Sequence, residues 1–317
     1  MEKISVIIPC LNEQESLPAF EKEINRIAEE MDKVKFEYIY INDGSTDNTL
    51  NILKDMAKRD KRVKYVSFSR RFGKEAGNYA GLKSATGDYA VIIDADLQHD
   101  PELLKVMYDG IKNEGYDSVA VRRTNRKGEK KIRSFFSKMF YKIIKKMSDV
   151  EIVDGATDYR MMTKQMYTSV VEMSEYNRFT KGLFSWVGFN TKWIEQENIE
   201  RKHGTTSWSF MDLVLYSFSG ITAFSTKPLL MSSFIGGIFC LISFLMIIFI
   251  IVKTLIFGDP VAGYPSLVCF IFFIGGVQLF CLGIVGEYLS KMYMETKNRP
   301  LYIVKETNVD EKNNWFI

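Results

Sequence analysis

Two stretches without a charged residue decide what kind of chain this can be. One lies between Lys227 and Lys253, the other between Asp259 and Glu287. Each is about 25 residues long, enough to cross a hydrocarbon core of about 30 Å with some tilt. A buried helix of a soluble protein is a poor alternative at that length and uniform apolarity. A mean hydropathy near zero hides the split: residues up to about 225 read as a soluble domain, and the chain then becomes membrane-like. The loop from Thr254 to Tyr264 carries Asp259 and no positive charge. The outer flanks carry Arg201, Lys202, Lys227, Lys291, Lys297 and Arg299. The positive-inside rule then predicts a multi-pass protein with both termini and the large domain in the cytoplasm. The predicted units are 1–226, a helical hairpin over 227–290 and a C-terminal tail over 291–317. Gly236-Gly237, Gly275-Gly276 and Gly283-x-x-Gly286 are candidate close-packing sites between membrane helices, the basis for expecting a homo-oligomer. Glu306 to Asn314 is polar and reads as a mobile tail.

The first 226 residues alternate. Ile4 to Ile8, Phe36 to Ile41, Val63 to Phe68, Tyr89 to Ile93 and Ser118 to Val121 are short β-branched or aromatic runs, read as strands. Helical spacing separates them, as in Leu17, Phe20, Ile24, Ile27 and Ala28. A helix follows from Thr49 to Arg59 and another from Ala76 to Ser84. This alternation predicts a doubly wound α/β domain. Trp186 to Trp193 reads as a further strand. Lys and Arg number 42 against 39 Asp and Glu, a net charge of +3, so bulk charge gives no reason to expect nucleic acid as a partner. Cys10, Cys240, Cys269 and Cys281 lack metal-ligand spacing, and three fall in apolar segments, which argues for a reducing compartment and against a disulfide framework. Met1-Glu2-Lys3 runs straight into a strand-like segment, unlike a signal peptide.

The chemistry gathers after Tyr89–Ile93, where Asp94-Ala95-Asp96-Leu97-Gln98 follows. Ligands of open α/β sheets bind beyond the carboxyl ends of strands, and alternate residues of an extended segment share a side. Two carboxylates and an amide there suit Mg²⁺ or Mn²⁺ held jointly with a substrate phosphate. Arg133 to Ser148 is a second feature. Phe135, Phe136, Met139, Phe140, Ile143, Ile144 and Met147 line one face, and Lys138, Lys142, Lys145 and Lys146 the other. That is the pattern of a helix lying in a membrane interface. An aromatic, apolar stretch ending at Phe224 (208–224) is read as a second such helix.

Ile7-Ile8-Pro9-x-x-Asn12-Glu13, Asn42-Asp43-Gly44-Ser45-x-Asp47, Gly77-x-x-x-Gly81-x-x-x-Ala85-x-Gly87-Asp88 and Asp94-x-Asp96-x-Gln98 occur in the order and spacing of a GT-A glycosyltransferase of family 2. With Asp158-Tyr159-Arg160, the Arg201-x-x-Gly204 loop and the terminal helix pair, the chain resembles the polyprenyl-phosphate glycosyltransferases, such as the dolichyl-phosphate mannose synthases and bactoprenol glucosyltransferases. The resemblance spans essentially the whole chain. It implies an inverting, metal-dependent hexosyltransferase moving one sugar from a UDP-sugar to undecaprenyl phosphate at the cytoplasmic face of a bacterial inner membrane. Glucose is the first choice and N-acetylglucosamine the second, with GDP-mannose as donor or a non-catalytic nucleotide-sugar binder as alternatives. It further implies a flippase and an extracytoplasmic glycosyltransferase downstream, in cell-envelope modification.

By the same resemblance Asp96 and Gln98 are the metal ligands. Asp94 sits between metal and sugar, and Asp158 is where the family has its candidate base, with base or positioning roles both open. Pro9, Asn12, Glu13 and Asp43 line the nucleoside pocket. Lys74, from the basic loop that begins at Arg70, and Arg201 are counted with the donor. Arg122, Arg133 and Ser137 resemble contacts to the acceptor phosphate. A phosphate monoester is largely ionised near neutral pH, its second pKa being about 6, so it needs cations and alignment more than a general base. Ser207 stands where many relatives carry a lysine. Asn42-Asp43 replaces the commoner Asp-Asp. The Gln-x-x-Arg-Trp of processive synthases is absent, and single-sugar transfer is expected.

Overall fold

The computed structural model describes residues 1–123, 153–197, 224–257 and 263–309. Arg133, Ser137, Arg201 and both expected interface helices, 133–148 and 208–224 but for its last residue, lie outside the described residues.

The α/β reading is borne out. The chain runs β1 (Lys3–Cys10), α1 (Leu17–Glu30), β2 (Lys35–Asn42), α2 (Thr49–Arg59), β3 (Val63–Phe68), α3 (Lys74–Ser84), β4 (Tyr89–Ile92), α4 (Leu103–Lys112) and β5 (Ser118–Arg123). Further along the chain come β6 (Ala156–Thr163), α5 (Lys164–Glu172), α6 (Thr180–Trp186) and β7 (Thr191–Gln196). The sheet order is β7-β5-β6-β4-β1-β2-β3-β8, where β8 is Val304–Thr307. The central four strands are parallel. Both faces of these strands are apolar because both are covered. Leu17, Phe20, Leu53, Met56, Leu104 and Met107 of α1, α2 and α4 pack on one face. Leu82, Met166, Val170 and Phe184 of α3, α5 and α6 pack on the other. α3 lies close to the sheet because its facing residues are small; at Gly81 a Cβ would overlap the Ile7 side chain.

Three differences from the expected pattern matter. First, β6 runs antiparallel to both β4 and β5, so the sheet is mixed. Second, the strand expected over Trp186 to Trp193 begins only at Thr191. Trp186 ends α6, and Gly188, at φ 73°, turns the chain out of the helix in the left-handed conformation glycine tolerates. Third, the tail expected to be mobile starts inside an edge strand, β8, while its residues 310–314 lie outside the described residues. β8 pairs antiparallel with β3, and Asn308 accepts from Tyr65 N at 2.7 Å and donates to Val63 O at 3.1 Å. Its sequence is polar because one face and one edge meet water, which composition alone does not separate from disorder.

Between β7 and β8 stand α7 (Lys227–Phe257) and α8 (Tyr264–Thr296), two helices long and apolar enough to cross a membrane. They touch through Phe239 and Phe273, ring centroids 5.1 Å apart. The Tyr288 hydroxyl donates to Ser225 O at 2.5 Å, just before α7. The chain thus leaves the sheet, makes a hairpin and returns to the same sheet.

Candidate active site

The carboxyl ends of β1, β2 and β4 open on one side of the sheet, and the loops there interlock. Asn12 adopts φ 56°, which an Asn tolerates better than most residues. Its backbone N–H donates to Ser45 Oγ at 2.9 Å and its Oδ1 accepts from Thr46 N at 2.9 Å. Glu13 N donates to Thr49 Oγ1 at 2.9 Å, and the Glu13 carboxylate accepts from Ser16 Oγ. Pro9, in β1, faces Gly77 of α3. Asp43 is buried and holds a neighbouring loop: its Oδ1 accepts from Phe72 N at 2.6 Å and its Oδ2 from Gly73 N at 2.9 Å. Burial raises its carboxyl above the ordinary range, with those two N–H groups opposing. Gly44 must be glycine, since at φ +68° a Cβ would meet Arg70 C at 2.5 Å.

Asp94 follows β4, and the antiparallel register puts Asp158 beside it, two positions on from the Ile92–Arg160 pair. Two carboxylates side by side repel unless a cation joins them. Lys74, the first residue of α3, does so. Its Nζ is 2.8 Å from Asp94 Oδ1 and 2.9 Å from Asp158 Oδ2. Burial opposes charge on Asp158, yet Lys74, aided by Lys181, holds its carboxyl well below the usual range. Burial also works against the Lys74 charge, and Asp158 and Asp94 outweigh it, lifting the ammonium above its ordinary value. Asp158 is therefore a poor proton acceptor near neutral pH while Lys74 stays in place.

Asp96 and Gln98 stand on the turn after β4, with Leu97 between them at φ 54°. A non-glycine residue there costs on the order of 1–2 kcal/mol, an expense found where geometry serves a site. Asp96 Oδ1 accepts from Gln98 N at 3.1 Å. Gln98 is braced from behind: Gln196 Nε2 lies 3.5 Å from Gln98 O. Gln196 Oε1 lies 3.2 Å from Nδ1 of the buried His99, which places the ring proton on Nδ1. Burial lowers the His99 pKa, so the ring is neutral at pH 7.

Arg122 and Arg123 end β5 and face opposite ways. Arg122 forms an exposed ion pair with Glu195, its register partner on β7, at 2.5 Å. Arg123 Nη2 instead lies 3.5 Å from Gln98 Oε1. Sequence reading chose Arg122 of the two. Strand alternation says that only one of them faces the turn, but not which. Arg160 is buried over the rings of Phe184 at 4.5 Å and Trp193 at 5.2 Å. Burial pushes its guanidinium down to about 9, against the Asp158 charge. The structure therefore brings together Pro9, Asn12, Glu13, Asp43, Lys74, Asp94, Asp96, Gln98 and Asp158. It turns Arg122 toward Glu195, and it adds Arg123, His99 and Gln196, which the sequence did not single out. His99 directly follows Gln98, a proximity that was the one available signal.

Comparison with known proteins places the chain in a family. The family described as Glycosyl transferase family 2 matches residues 5–170. A Bacillus subtilis (strain 168) protein named as a glycosyltransferase, CsbB, is 43% identical over 312 residues, 98% of this chain and 93% of its own. The SfII prophage-derived bactoprenol glucosyl transferase of Shigella flexneri is 38% identical over 306 residues, 96% of this chain and 98% of its own. Among solved structures, the glucosyl-3-phosphoglycerate synthase of Mycobacterium tuberculosis superposes with a TM-score of 0.46 at 18% identity, over 70% of this chain and 78% of that one.

Proposed function

The chain belongs to glycosyl transferase family 2, its α/β domain is of the GT-A type, and we propose that it moves glucose from UDP-glucose to undecaprenyl phosphate. One observation carries the acceptor: the likeness to a bactoprenol glucosyl transferase runs through the hairpin helices as well as the catalytic domain, over 96% of the chain. The residues at the strand ends supply a matching chemistry.

The donor's leaving group is a diphosphate, on which negative charge grows. Asp96 and Gln98 offer hard oxygen donors on one turn, and no group of three or more His, Cys, Asp or Glu residues fit to hold a metal occurs among the described residues. A set so small suits Mg²⁺ or Mn²⁺ that keeps several positions for substrate oxygens. Such an ion supplies Lewis-acid stabilisation of the departing diphosphate. Asn12 and Glu13 shape the nucleoside pocket by locking the loops of β1 and β2, and Asp43 does so by holding the loop after β3. Lys74 screens Asp94 and Asp158 from each other and brings a cation to the donor.

The acceptor phosphate attacks as an anion, so Asp158 serves to position rather than to take a proton, in keeping with its depressed carboxyl. Arg123, with Arg133 and Ser137 by family resemblance, is assigned to the acceptor phosphate, and Arg201 to the diphosphate. Return of the chain from α8 to β8 on the same sheet supports an even number of crossings, with both termini on the cytoplasmic side that flanking charge selects. The lipid-linked glucose would then pass to a flippase and an extracytoplasmic transferase.

The test is to incubate purified protein with Mg²⁺ or Mn²⁺, undecaprenyl phosphate and a panel of UDP- and GDP-sugars. A mild-acid-labile lipid glucose made from UDP-glucose is the expected product. No lipid sugar from any donor overturns the acceptor assignment, and preference for another donor overturns the sugar.

A further inference from the structure

The end of α8 and the residues after it pack on the α/β domain, against elements that neighbour the candidate donor residues. Glu295, in the last turn of α8, accepts from Tyr176 N at 2.8 Å and Asn177 N at 3.3 Å. The next residue, buried Arg178, lies over the Tyr79 ring at 4.5 Å. Tyr302 meets Tyr79 as well, its ring edge-on at 6.2 Å, and stacks on Phe68 at 4.8 Å with 20° between planes. Phe68 in turn meets Phe72 edge-on at 5.7 Å. Backbone adds to this, since Ser69 N donates to Ile303 O at 2.9 Å.

These contacts converge on two elements. Phe68, Ser69 and Phe72 frame the loop whose N–H groups Asp43 holds. Tyr79 belongs to α3, whose first residue is Lys74. Buried Tyr302 is the one ring in contact with both among the described aromatic pairs. α3 packs closely on the sheet through Gly77 and Gly81, Tyr302 adds a large ring against Tyr79 of the same helix, and in a close-packed interior the loss of such a ring is transmitted to its neighbours.

We propose that Tyr302 is a positioning residue of the donor site: packed on Phe68 and Tyr79, it fixes the 69–73 loop and α3 so that Lys74 sits between Asp94 and Asp158. The base of α8 is thereby tied to donor binding. The inference rests on the glucosyltransferase reading for its kinetic readout. Misplacing a site group by about 1 Å can cost about 100-fold in rate, so a brace outside the site is felt inside it.

The experiment uses the full-length protein and compares wild type, Tyr302→Ala and Tyr302→Phe for kcat, the KM of each substrate and Tm. Tyr302→Ala should raise the UDP-glucose KM about tenfold, the size of a lost aromatic pair, with the undecaprenyl phosphate KM within about twofold of wild type. Tyr302→Phe, which keeps the ring, should restore the wild-type values. An unchanged donor KM in folded Tyr302→Ala, or equal rises in both KM values, overturns the inference. If Tyr302→Ala does not fold, Tyr302→Leu, which keeps apolar volume but not the stack, reads the same split. A wild type that makes no lipid glucose counts against the proposed function instead. Calorimetric binding of UDP with Mn²⁺ to wild type and variant then decides the present inference by the same tenfold difference.

Discussion

The Lys74 ammonium lies 2.9 Å from the Asp158 carboxylate, joining the first turn of α3 to β6. Asp94 shares the same ammonium at 2.8 Å. Antiparallel pairing of β6 with β4 sets the two carboxylates side by side, and one cation from another element makes that arrangement tolerable.

Lys74→Met removes this cation while keeping most of the side-chain length. It should lower kcat/KM for UDP-glucose by roughly 100-fold, about 2.7 kcal/mol of transition-state stabilisation. Lys74→Arg should recover only part, because a planar guanidinium does not replace a compact ammonium between two carboxylates. Steady-state kinetics with both variants checks this, and wild-type kinetics in Lys74→Met would contradict the assignment.

The depressed Asp158 carboxyl fixes the sign of one pH effect. A carboxyl lowered in the folded state stabilises above its unfolded pKa of about 3.9, and that stabilisation is lost as pH falls toward the folded value. Asp43, raised by burial, acts in the opposite sense: its contribution is present at low pH and fades as pH rises through its folded pKa. The Tm difference between wild type and Asp158→Asn should therefore be largest near neutral pH and shrink below about pH 4. A difference that stays constant across that range would show that Asp158 is not held by charge.

Asp96→Asn keeps the shape of the turn after β4 and removes a negative charge. The Mn²⁺ concentration for half-maximal activity should rise at least tenfold, on the order of what lost ligand support costs. Activity should vanish with EDTA and return with either ion. Undiminished Mn²⁺ dependence in Asp96→Asn would remove it from the metal set.

Arg122 and Arg123 make a paired test, since one faces Glu195 and the other Gln98. Arg123→Ala should raise the undecaprenyl phosphate KM about tenfold, as loss of a charge-assisted contact does. Arg122→Ala should change it little, because exposed ion pairs contribute about 0–1 kcal/mol. The reverse order would return the acceptor role to Arg122.

Asn308→Ala tests whether the tail belongs to the sheet. It removes acceptance from Tyr65 N and donation to Val63 O, a loss of about 1–3 kcal/mol. Thermal unfolding should shift down by about 2–4 °C per kcal/mol for a domain of this size. An unchanged Tm would show that β8 is not docked in solution.

The sequence by itself was enough for the α/β alternation, the two long apolar helices and most of the loops at the strand ends. Each rests on local physics: side-chain period, uninterrupted apolarity, and turn residues such as Asn42-Asp43-Gly44-Ser45. Asp94, Asp96 and Gln98 were legible because one short stretch carries all three, although Leu97 at φ 54° makes it a turn and not the extended segment expected. Tertiary structure alone decided the rest. The antiparallel course of β6 sets Asp158 beside Asp94, and no local signal encodes which strand a strand will meet. The packing of α3 delivers Lys74 to both, and pairing with Glu195 turns Arg122 away while Arg123 faces the turn. The start of the Glu306–Asn314 stretch looked like a solvated tail because an edge strand, here β8, shows water one face and half its hydrogen-bonding groups. Only contact with β3, across the two long apolar helices, makes it part of the domain.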